Sequence, residues 1–371
     1  MSLSYWEYQS WISNIDYTIV GSGIVGLNTA LHLKNLFPDS KILILERGFL
    51  PNGASTKNAG FACFGSLSEI LDDLASHSSE EVVELIKKRK KGLEVLRKNL
   101  GDDALGYQCY GGYELFLPED EHLYQSCVSQ IKVVNDLLKP VFGEEVFGTK
   151  ANAFGFKNIK EPLIYNKFEA QINTGKMMEA LLQKVQVAGI KILNCITVED
   201  ISDNTTSVEV KTDKFQFHTK KLLIATNGFA SKMGISEVKP ARAQVLITKP
   251  IKGLNVKGTF HLDKGFYYFR NIDDRVLFGG GRNLDFKAEE TTKMEQTDLI
   301  QNKLEALLKS TILPDIPFEI DHRWSGIMGV GSTKKPILKQ LSNNVYCGVR
   351  LGGMGVAIGS LVGMELAEMI Y

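Results

Sequence analysis

The glycines at residues 21–26 limit the fold of this chain more than any other feature. They read GSGIVG, which is a GxGxxG motif. An apolar, β-branched run at 16–20 precedes the motif, and residues 24–36 place apolar side chains at helical spacing after it. A second apolar run at 41–45 ends directly before Glu46. This order predicts two parallel strands joined by a right-handed helical crossover.

The chemistry of the motif indicates a dinucleotide site. Gly21 permits a tight turn, Gly23 lets the backbone approach a pyrophosphate, and Gly26 lets the helix pack closely on the strand. The pyrophosphate would lie against free N–H groups at the start of the helix. Glu46 lies 20 residues after Gly26, where a carboxylate accepts hydrogen bonds from a ribose diol. The motif alone does not distinguish NAD from FAD.

Composition and charge narrow the class of protein. Of the 371 residues, 44% are hydrophobic and 23% are charged, a balance typical of folded globular chains. The length is sufficient for two or three domains. Basic and acidic residues both number 43, so the formal net charge is zero. We therefore expect no nucleic-acid partner, since proteins that bind phosphate backbones usually carry a basic excess.

Targeting and metal signals are weak throughout the chain. No apolar run approaches the roughly 18 residues of a membrane helix, and the N-terminus lacks the basic and apolar regions of a secretory signal. We expect a cytoplasmic protein with no membrane span. The 5 cysteines and 6 histidines are dispersed, which predicts reduced thiols and no metal site.

Other segments carry weaker signals of secondary structure. Residues 53–68 are rich in glycine, alanine and serine and predict a loop. Ser78 and Glu81 form a capping box that opens a helix, and the basic run 87–91 within it is interpreted as a solvated face rather than an anion-binding patch. Strands are predicted at 191–198, 207–212, 221–225, 243–249, 265–280 and 344–347, and helices at about 120–138, 175–188, 294–308 and up to 370.

Four further segments carry a family resemblance. They are GASTKNAGF at 53–61, ATNGF at 225–229, RWSG at 323–326 and GGMGVAIGSLVG at 352–363. In this order, and together with the glycine motif, they resemble the D-amino acid oxidase/glycine oxidase-like FAD-dependent oxidoreductases, a group that includes sarcosine oxidase and γ-glutamylputrescine oxidase. The resemblance covers nearly the whole chain.

The resemblance implies an α/β fold with two interleaved domains. One is a glutathione-reductase-type FAD-binding domain with a Rossmann-like βαβ core, and the other is a mixed α+β substrate domain. The implied FAD-binding segments are residues 1–100, 171–235 and 321–371. The implied substrate-domain segments are residues 101–170 and 236–320.

The resemblance also implies how FAD is held. The glycine motif and Glu46 would bind the adenosine diphosphate part, and the C-terminal turn would lie against the flavin ring. Binding would be non-covalent, because residues 324–336 contain no cysteine where sarcosine oxidase-like members attach their flavin. The implied FAD-binding residues are Gly21, Gly23, Ile24, Val25, Gly26, Glu46, Arg47, Ala54, Ser55, Asn58, Ala59, Gly60, Val198, Thr226, Asn227, Gly228, Gly326, Gly353, Met354, Gly355 and Val356.

On the substrate side, Tyr267, Tyr268 and Arg270 resemble the aromatic strand that covers the substrate in this family. Arg242 and Gln244 resemble a second strand lining the same cavity. The alternative for the tyrosines is ordinary packing in a sheet, and the alternative for Arg242 and Gln244 is a surface pair. The sequence leaves both alternatives open.

Two departures from the family pattern concern the substrate. Met328 stands where glycine oxidase-like members have an arginine that binds the substrate carboxylate, and Leu277 stands where sarcosine oxidases have a lysine beside the flavin. Arg350 is a candidate replacement for the missing arginine, and the alternative for Arg350 is a structural role. The departures predict a substrate whose α-carboxylate is not held by an arginine at this position, or a substrate that is recognised through a distal group.

Together these features predict an FAD-dependent oxidoreductase. It would oxidise a C–N bond of an amine or amino acid by hydride transfer to flavin N5, and oxygen or an unidentified acceptor would take the electrons. The alternatives are an FAD-dependent hydroxy-acid dehydrogenase, a tRNA-modifying flavoenzyme and a redox-inactive FAD-binding protein.

Overall fold

The computed structural model describes residues 3–371, which form two eight-stranded sheets, a two-stranded sheet and the helices packed on them. The strands are β1 (Ile15–Val20), β2 (Ile42–Leu45), β3 (Phe61–Ala62), β4 (Gly112–Leu115), β5 (Phe147–Lys150), β6 (Leu163–Asn166), β7 (Ala170–Gln171), β8 (Lys191–Leu193), β9 (Val198–Asp203), β10 (Val208–Thr212), β11 (Gln216–Ile224), β12 (Lys239–Thr248), β13 (Thr259–Leu262), β14 (Tyr267–Ile272), β15 (Arg275–Gly280), β16 (Ile320–Val330), β17 (Ile337–Ser342) and β18 (Val345–Val349). The helices are α1 (Tyr5–Glu7), α2 (Ile24–Leu36), α3 (Ala54–Lys57), α4 (Leu67–Leu74), α5 (Ser79–Leu100), α6 (Asp102–Leu105), α7 (Glu121–Phe142), α8 (Thr174–Val187), α9 (Phe286–Glu289), α10 (Asp298–Leu307) and α11 (Gly355–Glu368).

The first large sheet contains the predicted strand–helix–strand unit. Its order is β17-β18-β11-β1-β2-β8, with β10 and β9 attached to β11. β1 pairs in parallel with both β2 and β11, and α2 spans the predicted residues 24–36, which confirms the unit. All four residues of β2 are buried, as expected for a parallel strand covered on both faces. α2 packs against β1 and β2, and α11 packs against α2 and α5.

The second large sheet has the order β16-β12-β15-β14-β13-β4-β6-β5 and is antiparallel except where β13 pairs with β4. Aromatic rings fill its core, and the rings of Phe260 and Phe269 stack with centroids 4.5 Å apart. Because β16 pairs with β12 while β17 and β18 join the first sheet, residues 321–371 contribute to both sheets. The domain division remains a prediction.

Three segments differ from their predicted secondary structure. Residues 53–68 contain α3 and β3 in addition to loop, and α4 begins at the end of this segment because Ser66 and Glu69 form a second capping box. The predicted strand at 191–198 is divided into β8 and β9, with Cys195 between them at a φ of 60°. The predicted helix at 294–308 begins only at Asp298.

Helix α5 begins as predicted, but its basic run is not wholly solvated. Ser78 and Glu81 form the expected capping box, and Lys87 and Lys91 are exposed. Arg89 is only 5% exposed, and its Nη1 donates a hydrogen bond to the carbonyl oxygen of a loop residue at 2.7 Å. The solvated-face interpretation is therefore wrong for Arg89, whose spacing places it on the buried stripe of the helix.

Within residues 3–371, no helix combines the length and hydropathy needed to cross a membrane. The same residues contain no cluster of three or more histidine, cysteine or carboxylate side chains able to hold a metal ion. The five cysteines are free thiols.

Candidate active site

A cavity of about 540 Å³ is lined by residues of both large sheets. This volume is typical of cofactor and substrate sites. The residues predicted to contact FAD line it, except for Gly26 and Gly60. The lining members of that set are Gly21, Gly23, Ile24, Val25, Glu46, Arg47, Ala54, Ser55, Asn58, Ala59, Val198, Thr226, Asn227, Gly228, Gly326, Gly353, Met354, Gly355 and Val356.

The glycine motif forms a tight turn between β1 and α2. Gly21 has a φ of 106°, which side chains rarely tolerate. A Cβ on Gly26 would overlap the carbonyl oxygen of Gly21, so Gly26 serves packing although it lies outside the cavity. A Cβ on Gly23 would lie 2.8 Å from Ser55 Oγ, which accepts a hydrogen bond from the N–H of Ile24 at 2.9 Å. Ser55 thus occupies the first N–H of α2, and the N–H groups that follow, which bond to no side chain within residues 3–371, favour a phosphate.

Glu46 and Arg47 follow β2 and line the cavity beside this turn. Glu46 is 8% exposed; its Oε2 accepts hydrogen bonds from the N–H and hydroxyl of Ser22 at 3.1 and 2.6 Å, and its Oε1 accepts one from the N–H of Gly48 at 2.8 Å. A carboxylate offers about four acceptor positions, so Glu46 retains capacity for a ribose hydroxyl. The guanidinium of Arg47 lies 4.4 Å from the ring centroid of Phe229, which forms a flat surface in the cavity.

The turn after β11 contributes one unsatisfied polar atom to the cavity. Thr226 Oγ1 is buried without a hydrogen-bond partner among residues 3–371. Its neighbour Asn227 accepts hydrogen bonds through Oδ1 from the N–H groups of Arg350 and Leu351, both at 3.2 Å. A Cβ on Gly228 would strike the backbone of β16. This turn is therefore fixed against both sheets, and Thr226 is positioned to bond to a molecule in the cavity.

The loop at residues 53–61 is held by its own polar groups. Asn58 Oδ1 accepts hydrogen bonds from the N–H of Gly60 at 2.8 Å and from the hydroxyl of Thr174 at 2.9 Å. Gly60 has a φ of 73°, and a Cβ there would overlap the carbonyl oxygen of Ile172. Gly60 thus fixes the loop from behind, which explains why it does not line the cavity.

The glycines of the C-terminal turn before α11 leave space on its cavity side. Gly352 and Gly353 have φ values of 64° and 107°, and a Cβ on Gly353 would meet only Met328 Sδ, at 3.6 Å, among the described residues. Met354 Sδ lies 3.5 Å from Cys63 Sγ. No side chain within 3–371 caps the start of α11, so its first N–H groups are free to bond to a ligand.

Of the two predicted tyrosines, Tyr268 lines the cavity and Tyr267 does not. Tyr267 is buried in the aromatic core, with its ring 6.3 Å from that of Phe278, because successive side chains of a strand point to opposite faces. Gly279 lies opposite Tyr268, and a Cβ there would be 2.7 Å from the Tyr268 ring. Burial raises the pKa of Tyr268 to about 12, so its hydroxyl remains a hydrogen-bond donor at neutral pH.

The two predicted arginines lie outside the cavity lining. Arg270 shares the face of Tyr268 but lies under the 53–61 loop, where its Nη2 donates to the carbonyl oxygen of Ile172 at 2.9 Å and burial lowers its pKa to about 10. Arg350 donates to the carbonyl oxygen of Lys335 and to the hydroxyl of Thr333, both at 3.0 Å. The structure thus gives Arg350 a role in fixing the 331–336 loop, contrary to its interpretation as a carboxylate clamp.

Strand β12 also differs from its predicted role. Ala243 and Val245 line the cavity, whereas Arg242 and Gln244 point to the opposite face. There Arg242 forms a buried bidentate pair with Glu289 at 2.6 and 2.8 Å. The interpretation of Arg242 and Gln244 as cavity residues is wrong, and the reason is again the two-residue period of a strand.

The two positions that depart from the family pattern have different environments. Met328 lines the cavity opposite the C-terminal glycine turn. Leu277 is buried in an apolar cluster with Ala59 and Val245. Both side chains therefore add apolar surface at or behind the cavity wall.

Several cavity residues carried no sequence signal that assigned them to a site. They are Cys63, Glu69, Arg89, His261 and Arg282, whereas Phe61 ends the GASTKNAGF segment that carries the resemblance. His261 forms a buried pair with Glu169 at 2.9 Å; burial disfavours its charged form, but the carboxylate of Glu169 outweighs this and raises the pKa of His261 to about 9. The spacing of α5 indicates that Arg89 is buried, but no pattern in the sequence places it at the cavity.

Comparison with known proteins identifies the family. Residues 16–369 match the family model described as FAD dependent oxidoreductase. The chain belongs to this family of FAD-dependent oxidoreductases. Gamma-glutamylputrescine oxidoreductase of Escherichia coli (strain K12) is 24% identical over 394 aligned residues, which cover 96% of this chain and 83% of the relative.

Solved structures share the fold of this oxidoreductase. L-Proline dehydrogenase from P. horikoshii matches with a TM-score of 0.75 at 17% identity, covering 96% of this chain and 93% of that one. Glycine oxidase from Geobacillus kaustophilus matches with a TM-score of 0.74 at 19% identity, covering 96% and 95%. These matches confirm the predicted fold class.

The cavity residues fit the FAD that this family requires. The buried Thr226 hydroxyl needs a partner, which a bound nucleotide would provide. The starts of α2 and α11 both open onto the cavity as backbone N–H groups, where phosphate oxygens and the electron-rich edge of a flavin would be favoured. The turn at 352–353 leaves space for a flat ring without moving a side chain.

Proposed function

We propose that this FAD-dependent oxidoreductase oxidises the C–N bond of a small amine or amino acid. The observation that carries the proposal is the continuity of the cavity, which joins the nucleotide-binding turns to a wall containing Tyr268 and Met328. A substrate against that wall would therefore lie beside the C-terminal turn and the flavin. The names of the related proteins, which refer to glutamylputrescine, proline and glycine, support an amine or amino acid.

Each part of the chain would contribute positioning or electrostatics. Bound FAD supplies an acceptor for the hydride that leaves the carbon next to the amine. The free N–H groups of Gly355 and Val356 would favour negative charge at the adjacent ring edge. Phe61 and Tyr268, whose ring centroids lie 5.7 Å apart, would exclude water from the reacting carbon. His261 is held as a cation by Glu169, so it is unsuited to act as a base at neutral pH.

We also propose that FAD is held without a covalent bond. Cys63 lines the cavity, but burial raises the pKa of its thiol well above the ordinary value, which suppresses the reactive thiolate. Acid precipitation of the purified yellow protein should release the flavin into the supernatant. A pellet that retains the colour would contradict this proposal.

The chain is proposed to form two functional domains, whose boundary does not follow the two large sheets because β16 belongs to the second sheet. The FAD-binding domain would comprise residues 1–100, 171–235 and 321–371, and the substrate domain would comprise residues 101–170 and 236–320.

The electron acceptor would be oxygen or another oxidant. Comparing oxygen consumption with the reduction of an artificial dye during turnover would distinguish these acceptors.

The decisive experiment is anaerobic mixing of the FAD-loaded protein with a library of amines, amino acids and hydroxy acids. We expect the flavin absorption to bleach with at least one amine and the oxidised carbon to be recovered as a carbonyl product with release of the amine. Bleaching only by hydroxy acids would replace this function with a hydroxy-acid dehydrogenase. Bleaching by no member of the library, although dithionite reduces the flavin, would contradict the proposal.

A further inference from the structure

Consecutive glycines at the end of β15 bring Arg282 to the cavity wall. Gly280 and Gly281 have φ values of 124° and 81°. A Cβ on Gly280 would overlap the carbonyl oxygen of Phe266, and the N–H of Gly281 donates a hydrogen bond to the same oxygen at 2.9 Å. The chain therefore folds back over the turn that precedes β14. As a result, Arg282 lines the cavity on the side of Tyr268.

Aromatic rings, rather than acids, surround the guanidinium of Arg282. Its Cζ lies 5.4 Å from the ring centroid of Phe266 and 5.1 Å from that of Phe286. No residue in the range 3–371 forms a hydrogen bond or an ion pair with this guanidinium. Burial lowers the pKa of Arg282, and the nearby Tyr268 opposes this shift. A partly desolvated cation without a counter-charge is unfavourable until an anion joins it.

Neighbouring cations of the cavity wall are already bonded. Lys264 pairs with Asp72 at 2.7 Å, and Lys334 pairs with Asp73 at 2.6 Å. Arg89 donates through Nη1 to a backbone carbonyl oxygen at 2.7 Å; its Nε has no partner within residues 3–371, but the side chain is only 5% exposed, so a ligand reaches it less readily than Arg282. These side chains are therefore less available than Arg282 for a ligand on this wall.

We propose that Arg282, together with the hydroxyl of Tyr268, binds a carboxylate of the substrate. The proposal rests on the proposed function and narrows its substrate class to amines that carry a carboxylate. A guanidinium donates in a fork that matches both carboxylate oxygens, and Tyr268 adds a neutral donor. The carboxylate site is thus assigned neither to Met328, which is apolar, nor to Arg350, which is bonded to the 331–336 loop.

The test measures binding without turnover. The FAD-loaded protein is titrated with propionate and with propionamide, which have similar size but differ in charge, and binding is followed by flavin absorption and by calorimetry. We expect propionate to bind at least about 10-fold more tightly than propionamide. Arg282→Gln should weaken propionate binding between about 10-fold and 100-fold, and it should leave propionamide binding unchanged.

Matched variants separate the proposed contact from general effects of charge. Lys287→Gln removes the same charge from an exposed position outside the cavity and should leave propionate binding unchanged. Arg282→Lys keeps the charge but loses the fork, so an intermediate loss is expected. Tyr268→Phe should weaken propionate binding by a smaller factor, about 3-fold to 10-fold.

Equal binding of propionate and propionamide to the unmodified protein would overturn the proposal, as would unchanged propionate binding in Arg282→Gln. If Arg282→Gln fails to retain FAD, the comparison in the unmodified protein and in Arg282→Lys decides the question. A protein that binds propionate through Arg282 but whose flavin is reduced by no amine would contradict only the proposed function.

Discussion

The two ends of the cavity are built in different ways. The nucleotide end consists mainly of backbone: the turns at 21–26, 225–228 and 352–355 present N–H groups where side chains would interfere. The substrate wall consists of side chains from separate elements, such as Glu69 on α4, Arg89 on α5, His261 on β13 and Tyr268 on β14. The nucleotide end should therefore be sensitive to any added Cβ, whereas the substrate wall should be sensitive to changes of charge and register.

The largest effect is expected at the glycine motif. In Gly26→Ala the new Cβ would overlap the carbonyl oxygen of Gly21, so β1 and α2 would have to separate. We expect the variant to lose bound FAD and to lose more than the about 1–3 kcal/mol that overpacking usually costs, because the new atom meets a backbone oxygen that cannot rotate away. Flavin content and urea unfolding measure both effects.

Gly148→Ala is the matched control, because a Cβ there meets no atom within 4 Å. It should retain FAD and normal stability. A stable, FAD-loaded Gly26→Ala protein would show that the backbone at the nucleotide end can shift to accept an added Cβ.

A second large effect is expected on the face of β12 that points away from the cavity. Arg242→Met would leave the buried carboxylate of Glu289 without its cation, at a cost of about 3–5 kcal/mol. Because Arg242 does not line the cavity, the flavin content and the KM for substrate should stay unchanged at temperatures where the variant is folded. The double variant Arg242→Met/Glu289→Leu should recover most of the lost stability, and urea unfolding of all three proteins measures it.

A large rise in KM in Arg242→Met, with stability unchanged, would instead place Arg242 at the substrate. That result would mean that the face of β12 carrying Arg242 also contacts the substrate, so that both faces of the strand serve the cavity.

The same strand shows where sequence reasoning succeeds and where it fails. The motif at 21–26 is recognised from its spacing: Gly26 is required by Gly21 within the motif, and Gly21 by Ala225 at the end of the adjoining strand, while only Gly23 meets a more distant residue, Ser55 on α3. In the segment at 243–249, apolar residues occupy both faces of the strand. The pattern therefore does not reveal which face meets the cavity. Only the pairing of β12 with β15 and β16 places Ala243 and Val245 inside.

The positions of other cavity residues depend on contacts with parts of the chain that are distant in sequence. Arg282 reaches the wall because two glycines reverse the chain, and Arg350 turns away because Asn227 and the 331–336 loop hold it. Arg89 is brought to the cavity by packing of α5 near the start of α11. No local pattern encodes these distances, so the sequence predicts the nucleotide end far better than the substrate wall.

The pair formed by His261 and Glu169 predicts a pH dependence of stability. The folded-state pKa of about 9 lies above the ordinary value of 6.5, so the pair's contribution is fully present below about pH 6.5 and is lost as the pH rises through 9. Its size is up to about 3 kcal/mol. Urea unfolding between pH 6.5 and 9 should show this decline, and His261→Gln should flatten it. An equal slope in the variant would show that other groups cause the decline.

The smallest effect is expected at the C-terminal turn, where the backbone end of the cavity meets the flavin. The free N–H groups and positive dipole end of α11 should stabilise negative charge on the reduced ring by about 0.3–2 kcal/mol, depending on burial. Gly355→Val adds a side chain in a space where a Cβ meets only Leu351, at 3.5 Å, so the protein should fold and retain FAD. The bulk should displace the ring from the helix start, and the flavin potential should become more negative by the equivalent of that energy. Potentiometric titration measures the shift, and Gly148→Ala again supplies the control. An unchanged potential in Gly355→Val would mean that the start of α11 does not face the flavin, and that the backbone of this turn contributes shape but no electrostatic stabilisation.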